Sequence, residues 1–444
     1  MVEREFARYL DYLCEGLAHA DRHEGLKGYC QGLMLPLDRK SIEPLAAGID
    51  PKQVRARHQS LHHFVAQSEW SDAAVLERVR DWVFPRLSGK LYWIVDDTGF
   101  PKKGNHSVGV ARQYCGQLGK QDNCQVAVSL SVATEQASLP LAWQLYLPKP
   151  WAEDPARRQK AGVPQDIGFM TKPQMALSQI RQSLADGVTP GVVLADAGYG
   201  NDSAFRDGLR QMSLRYAVGI QSTTTVWAPG TAPLPPKPWK GVGRKPKLLR
   251  RTTEHAPVAV GALALELDAR CWKRVTWRQG TQGNLASRFA AVRVRSAYRD
   301  NWQDLPNPEE WLLIEWPRQE PEPIKYWLSS LPADTKLAQL VAVTKMRWRI
   351  ERDYQELKQE FGLSDYEGRG WRGFHHHATL CIAAYGYLVA KRLGGRSKKN
   401  FVRPTEFALP PDYVPRGRPA TPAPRRRLDS DAAMADRLGP RQTS

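Results

Sequence analysis

Two short apolar runs end in acid. LYWIVDD (91–97) closes on Asp96 and Asp97, and GVVLADAG (191–198) carries Asp196 near its end. Runs of this length, bounded by Gly and acidic residues, have the texture of buried strands. An acid at the end of a buried strand is expensive unless something pairs with it. In open α/β sheets, active sites gather at strand ends. Carboxylates brought together there repel one another, and a divalent cation removes that penalty. Hard oxygen ligands favour Mg²⁺ or Mn²⁺. The plainer role for either Asp is a turn or helix cap, and Asp196 has the Ala197–Asn201 turn to cap.

A third acid sits on a predicted helix. In RWRIERDYQELK (347–358), Arg347, Glu351, Tyr354 and Lys358 recur at spacings of four, three and four, which puts them on one face. A surface salt-bridge ladder would produce the same pattern. Two strand-end acids plus a helix-borne Glu, however, supply the ligands of a two-metal site. Alternation along the first strand puts Asp97 on one face with Leu91, Trp93 and Val95, and Asp96 on the other. The sequence leaves open which face meets the metal.

The remaining chain organises around these acids. Residues 1–88 read as helical, with Phe6, Tyr9, Leu10, Leu13 and Leu17 at helical spacing. Further helices are predicted at Val54–Gln67 and Asp72–Val83, with Arg55, Arg57, His58, His62 and His63 giving basic faces that suit DNA docking or, equally, the solvated face of a packing domain. Strands are expected at 91–97, 124–133, 139–147, 191–198 and 214–221, with helices near Pro173–Ala185 and Ser203–Met212. That order predicts a mixed sheet with helices on its faces, spanning 89–221. The stretch 222–330 reads as a β-rich insertion, with strands at 258–267, 289–297, 310–316 and 324–331. Within it, Pro233–Arg251 is rich in Pro, Lys and Arg and should be a loop or extended arm. Residues 331–393 return to helix, at 337–363 and His375–Leu393. The consecutive His375, His376 and His377 point about 100° apart on a helix, so they cannot converge on one ion; packing or phosphate contact is expected of them. Residues 394–444 form a Pro- and Arg-rich tail expected to be disordered.

The net charge of +18 favours a polyanionic partner, and nucleic acid is the usual one. Six scattered cysteines without a CxxC pair argue against zinc fingers. The opening MVEREFARYL is charged and has no secretory h-region, so no secretory signal is expected, and the longest apolar stretch, near Ala378–Ala390, is shorter than the roughly 20 residues that span a bilayer. A reducing cytoplasm fits these observations, and no membrane partner is expected.

Taken together, the acidic blocks resemble the DDE transposases of bacterial insertion sequences, in the branch whose last acid lies in a Tyr-x2-Arg-x3-Glu-x6-Lys motif. Arg347, Glu351 and Lys358 match that motif, while its tyrosine position falls on Thr344. DDTGFPKKGNHSVGVARQYCGQLGKQDNCQVAVSL (96–130) and LADAGYG (194–200) look like the first- and second-acid blocks. The resemblance implies an α/β, RNase H-like mixed-sheet catalytic domain, interrupted by a β-rich insertion and preceded by a helical N-terminal DNA-binding domain. It implies Asp97, Asp196 and Glu351 as catalytic metal ligands. Asp97 is preferred to Asp96 because Thr98 follows it, as in the family. It also implies two Mg²⁺ ions (Mn²⁺ substituting), double-stranded DNA as partner (terminal inverted repeats and target), and at least a dimer in the synaptic complex. The expected activity is cut-and-paste transposition. An RNase H-like nuclease without strand transfer and a non-enzymatic DNA-binding descendant are the alternatives. Arg347 and Lys358 become candidate phosphate contacts. Trp327 stands where related transposases stack a Trp on a flipped base, against the plainer role of a core Trp. Arg416 and Arg418, in Pro-Arg-Gly-Arg-Pro (415–419), are candidates for a minor-groove hook.

Overall fold

The computed structural model describes residues 2–280 and 283–394. The chain opens with helices α1 (Val2–Cys14), α2 (His23–Met34), α3 (Ile42–Ile49), α4 (Val54–Ala66) and α5 (Asp72–Val83). Strands β1 (Tyr92–Pro101), β2 (Ala111–Cys115), β3 (Lys120–Ala133) and β4 (Ser138–Leu145) follow, then short helices α6 (Lys149–Ala152) and α7 (Pro155–Ala161). Next come α8 (Lys172–Ala185), β5 (Val192–Ala195), α9 (Ala197–Gly200), α10 (Ser203–Gln211) and β6 (Tyr216–Ile220). The insertion contributes β7 (Thr225–Trp227), β8 (Val258–Ala259), α11 (Val260–Glu266), β9 (Lys273–Gly280), β10 (Gly283–Ser296), β11 (Glu309–Glu315) and β12 (Lys325–Ser329). Helices α12 (Leu337–Lys345), α13 (Trp348–Gln359) and α14 (Trp371–Gly394) complete the described chain.

The part of the sheet built from residues 92–220 carries the expected topology. β1 pairs antiparallel with β3, β3 antiparallel with β4, β1 parallel with β5, and β5 parallel with β6. Setting β2 aside, the order β4-β3-β1-β5-β6 is the RNase H-like arrangement, with the first strand central. β1 is apolar on both faces because both are covered, so Tyr92 through Val95 are all buried. α8 starts as its sequence dictates. Thr171 accepts from the Gln174 N–H while the Gln174 side chain accepts from the Thr171 N–H, a capping box with Pro173 in the first turn.

The insertion does not build a sheet of its own. β12 pairs antiparallel with β6, and β11, β10 and β7 continue outward, giving one twelve-stranded sheet among the described residues. Two expectations fail here. The strand predicted at 258–267 is only the two-residue β8, followed by helix α11. VAVGALALEL has strand-like alternation, but the buried Val260, Leu263 and Ala264 follow helical spacing against the insertion core. The helix predicted at 337–363 is two helices, broken at Met346–Arg347, where N–H groups bond three residues back instead of four. Strands β2 and β9 were absent from the sequence reading.

The N-terminal helices pack around α14 and share its core with strands β1, β3 and β4 of the sheet. The Tyr9 hydroxyl donates to the Ala383 carbonyl at 2.8 Å. The three consecutive histidines are buried in that packing. The His375 ring bonds the Leu145 N–H and the Trp371 carbonyl, and His376 lies between the Val65 and Trp70 carbonyls. His377 meets the Tyr29 hydroxyl and the Gly362 carbonyl. Among the described residues, no helix is long and apolar enough to cross a membrane.

Candidate active site

β1 and β5 run parallel, pairing Ile94 with Leu194, so the acids that follow each strand emerge at the same edge. Asp196 caps the short helix α9, its Oδ1 accepting from the Gly198 N–H at 2.9 Å. The turn it caps lies directly on β6. A Cβ on Gly200 would come within 1.9 Å of the Gly219 carbonyl oxygen, so only glycine fits there. The cap leaves Oδ2 of Asp196 for a second interaction.

That interaction is with Arg347, at the start of α13. One guanidinium nitrogen, Nη2, lies 3.4 Å from Asp196 Oδ2 and 3.6 Å from Asp96 Oδ2. The other terminal nitrogen, Nη1, lies 3.3 Å from Glu351 Oε1, one helical turn on. Three acids from two strand ends and one helix thus converge on one cation. Burial pushes the Asp96 carboxyl up to about 7, with Arg347 opposing and the Asp196 and Asp97 carboxylates adding to the rise. Glu351 is the exposed member, its side chain 62% accessible.

Asp97 has different company. Its Oδ2 accepts from Lys172 Nζ at 3.0 Å and from the Tyr199 hydroxyl at 3.3 Å. The cause is the strand register. Asp96 stands opposite Ser129 on β3, and Ser129 bonds the Tyr354 hydroxyl of α13 at 2.8 Å. Asp97 stands opposite Val128, whose carbonyl receives Gln179 of α8. The structure therefore brings Asp96, Asp196 and Glu351 together around Arg347 and leaves Asp97 beside them on the α8 side. Lys172 and Tyr199 were not singled out by sequence. Their signals were a lysine in the first turn of a capped helix and a tyrosine inside the second acidic block.

The remaining candidates are placed as follows. Lys358 donates to the Gly99 carbonyl at 2.7 Å and to Gln117 at 3.1 Å, with its ammonium 4.8 Å from the Phe100 ring centre. It therefore shares the α13 face with Arg347, Glu351 and Tyr354. Thr344 is buried, its hydroxyl on the carbonyls of Leu340 and Val341, so this motif position is turned into the protein. Trp327 lies on β12, half-buried beside Lys345, whose ammonium also faces Trp277 and pairs with Glu315 at 2.6 Å. Arg416 and Arg418 lie outside the described residues.

The donors gathered at the site are all carboxylate oxygens, a set that suits a hard divalent cation. Among the described residues, no three acid, histidine or cysteine side chains enclose a metal-sized space, and the cation holding the acids is the guanidinium. The donor chemistry fits the group.

A profile of the family described as DDE superfamily endonuclease matches residues 12–284, more than half of the chain. A curated relative from Microchaete diplosiphon, described as a probable transposase for insertion sequence element IS701, is 33% identical over 204 residues. That match covers 45% of this chain and 49% of the relative, so the chain spans about half the length of the relative it matches. A cryo-EM structure of the piggyBac transposase synaptic complex with hairpin DNA aligns over 88% of this chain and 70% of its own, at 8% identity and a TM-score of 0.43. This chain belongs to the DDE superfamily endonuclease family.

Proposed function

We propose that the protein is a DNA transposase that cuts the ends of an insertion sequence and joins them to target DNA. The observation that carries this reading is the convergence of Asp96, Asp196 and Glu351 on Arg347. The similarity to the IS701-type relative supports it independently.

In this reading Asp96, Asp196 and Glu351 hold divalent metal, two Mg²⁺ ions with Mn²⁺ as substitute. When bound, the metal lowers the pKa of a water and stabilises the leaving 3′ oxygen. Asp96 replaces Asp97 as the first ligand. What supports the exchange is that Asp96 shares the Arg347 guanidinium with the other two acids, whereas Asp97 is held by Lys172 and Tyr199. Lys172 and Tyr199 become positioning residues that fix the end of β1 through Asp97. Lys358, anchored on the Gly99 carbonyl, presents positive charge beside the end of β1 and contacts a phosphate near the cut. The 3′-OH freed by the first cut is the nucleophile for joining, so no protein side chain carries DNA covalently. Joining two ends requires two copies of the site, hence a dimer in the synaptic complex. Exposed Arg55, His62 and His63 on α4 give the N-terminal helices a face for inverted-repeat DNA.

Short inverted repeats in the DNA flanking the gene would supply the substrate. On a duplex carrying them, Glu351→Gln should abolish cleavage and retain binding. Joining of a pre-cut end by the wild-type protein separates a transposase from a nuclease that only cuts. Normal cleavage by the Gln variant would overturn the assignment.

A further inference from the structure

The chain carries no Asp or Glu between Asp207 and Glu254, and in that interval it loops out between β7 and β8 at the outer end of the insertion. The tip of this loop displays Lys237, Lys240, Arg244, Lys245 and Lys247, all exposed. A loop that was merely solvated would have no reason to exclude acids over such a length.

Its base is fastened. Leu234 and Arg250 exchange backbone hydrogen bonds at 2.9 and 2.8 Å, and the buried Leu249 bonds Gln303. Arg251 pairs with Asp300, which is fully buried and also receives the Trp227 indole N–H. The tip itself is turned by Gly241 and Gly243, both at positive φ, and Trp239 Nε1 donates to the Gly243 carbonyl. Four prolines, at 235, 236, 238 and 246, limit its freedom further. Trp239 in the tip is 52% exposed, and Trp302, which lines a groove together with Lys247 and Leu248, is 67% exposed. Large apolar rings left in water beside uncompensated cations mark a surface that a partner covers.

We propose that residues 237–247 form a fixed arm that binds the phosphate backbone of duplex DNA. The proposal rests on the transposase reading and extends it to a second contact. β7 lies five strands from β5 in the sheet, on the order of 25 Å from the acids at ordinary strand spacing. The phosphates it neutralises are therefore not the one under attack. A row of five cations without acids complements a polyanion and not a protein surface of mixed charge.

The test is the salt dependence of binding to a random-sequence duplex of about 30 base pairs, by fluorescence anisotropy between about 50 and 200 mM NaCl. Changing Lys237, Lys240, Arg244, Lys245 and Lys247 together to Gln should reduce the slope of log K against log salt by about 4, at roughly 0.9 per phosphate contact. Changing the four lysines to Arg should leave the slope in place, and matching circular dichroism melts show that both variants are folded. A Gln variant whose slope stays within about 1 of wild type overturns the arm while leaving the transposase reading intact. A wild-type protein that binds no duplex overturns both.

Discussion

Arg347 Nη2 lies 3.6 Å from Asp96 Oδ2, and the same nitrogen is 3.4 Å from Asp196 Oδ2. One cation thus offsets the mutual repulsion of acids that the fold brings to adjacent strand ends. Removing it leaves the buried Asp96 carboxylate without its counter-ion, beside the more exposed Asp196 and Glu351. Arg347→Ala should therefore lose about 1–3 kcal/mol of stability in EDTA, a drop of a few degrees in melting temperature. Adding Mn²⁺ should raise the melting temperature of the variant more than that of the wild type. An unchanged melt in EDTA would show that the guanidinium is not the counter-ion.

The neighbouring acids on β1 should separate in their effects. Asp96→Asn removes a proposed ligand and should reduce Mn²⁺-dependent nicking of supercoiled plasmid by at least about a hundredfold. Asp97→Asn loses the pairing with Lys172 but leaves the Arg347 cluster, so nicking should fall about tenfold or less. The reverse order of severity would return the first position to Asp97.

Much of this site was legible in the sequence, and the missing part has a physical cause. The strand-end acids and the Arg347–Glu351 spacing are local patterns, and they are the groups that meet around Arg347. The choice between Asp96 and Asp97 is not local, because β1 is covered on both sides. It depends on α13 docking over the Ser129 face and α8 over the other. The break at Met346 was hidden for a similar reason. No Gly or Pro marks it. α12 is fastened to the insertion by the Lys345–Glu315 pair, while α13 is fastened to the catalytic sheet through Tyr354 and through Asp353, which accepts from Ser138.

That fastening gives a second stability prediction. Glu315 is only 7% exposed and pairs with Lys345, whose ammonium lies 4.4 and 5.3 Å from the ring centres of Trp277 and Trp327. Lys345→Met keeps the apolar stem and strands the carboxylate, which should cost about 3 kcal/mol by urea unfolding. The double change Lys345→Met with Glu315→Gln should recover most of that loss. A single variant as stable as wild type would mean the pair does not hold α12 to the insertion.

The three histidines of α14 predict how the protein responds to acid. Burial lowers each ring from its ordinary value to about 4. In the unfolded chain they titrate near 6.5. Between those values the unfolded state binds more protons than the folded one, so stability falls as pH falls. The loss begins near pH 6.5, grows through pH 5 and levels off below about pH 4, where folded and unfolded states are equally protonated at these rings. The rings sit where the N-terminal helices, β4 and α14 meet, so protonation should loosen the N-terminal helices from the sheet. Replacing His375, whose ring donates to the Trp371 carbonyl and accepts from the Leu145 N–H as a neutral imidazole does, with Gln should flatten the profile by roughly a third, at some cost in stability at neutral pH. Thermal melts from about pH 7 to pH 4 measure this directly. A stability curve that is level from pH 6.5 to pH 5, or one unchanged in shape by the substitution, would mean these rings do not stay neutral in the folded core.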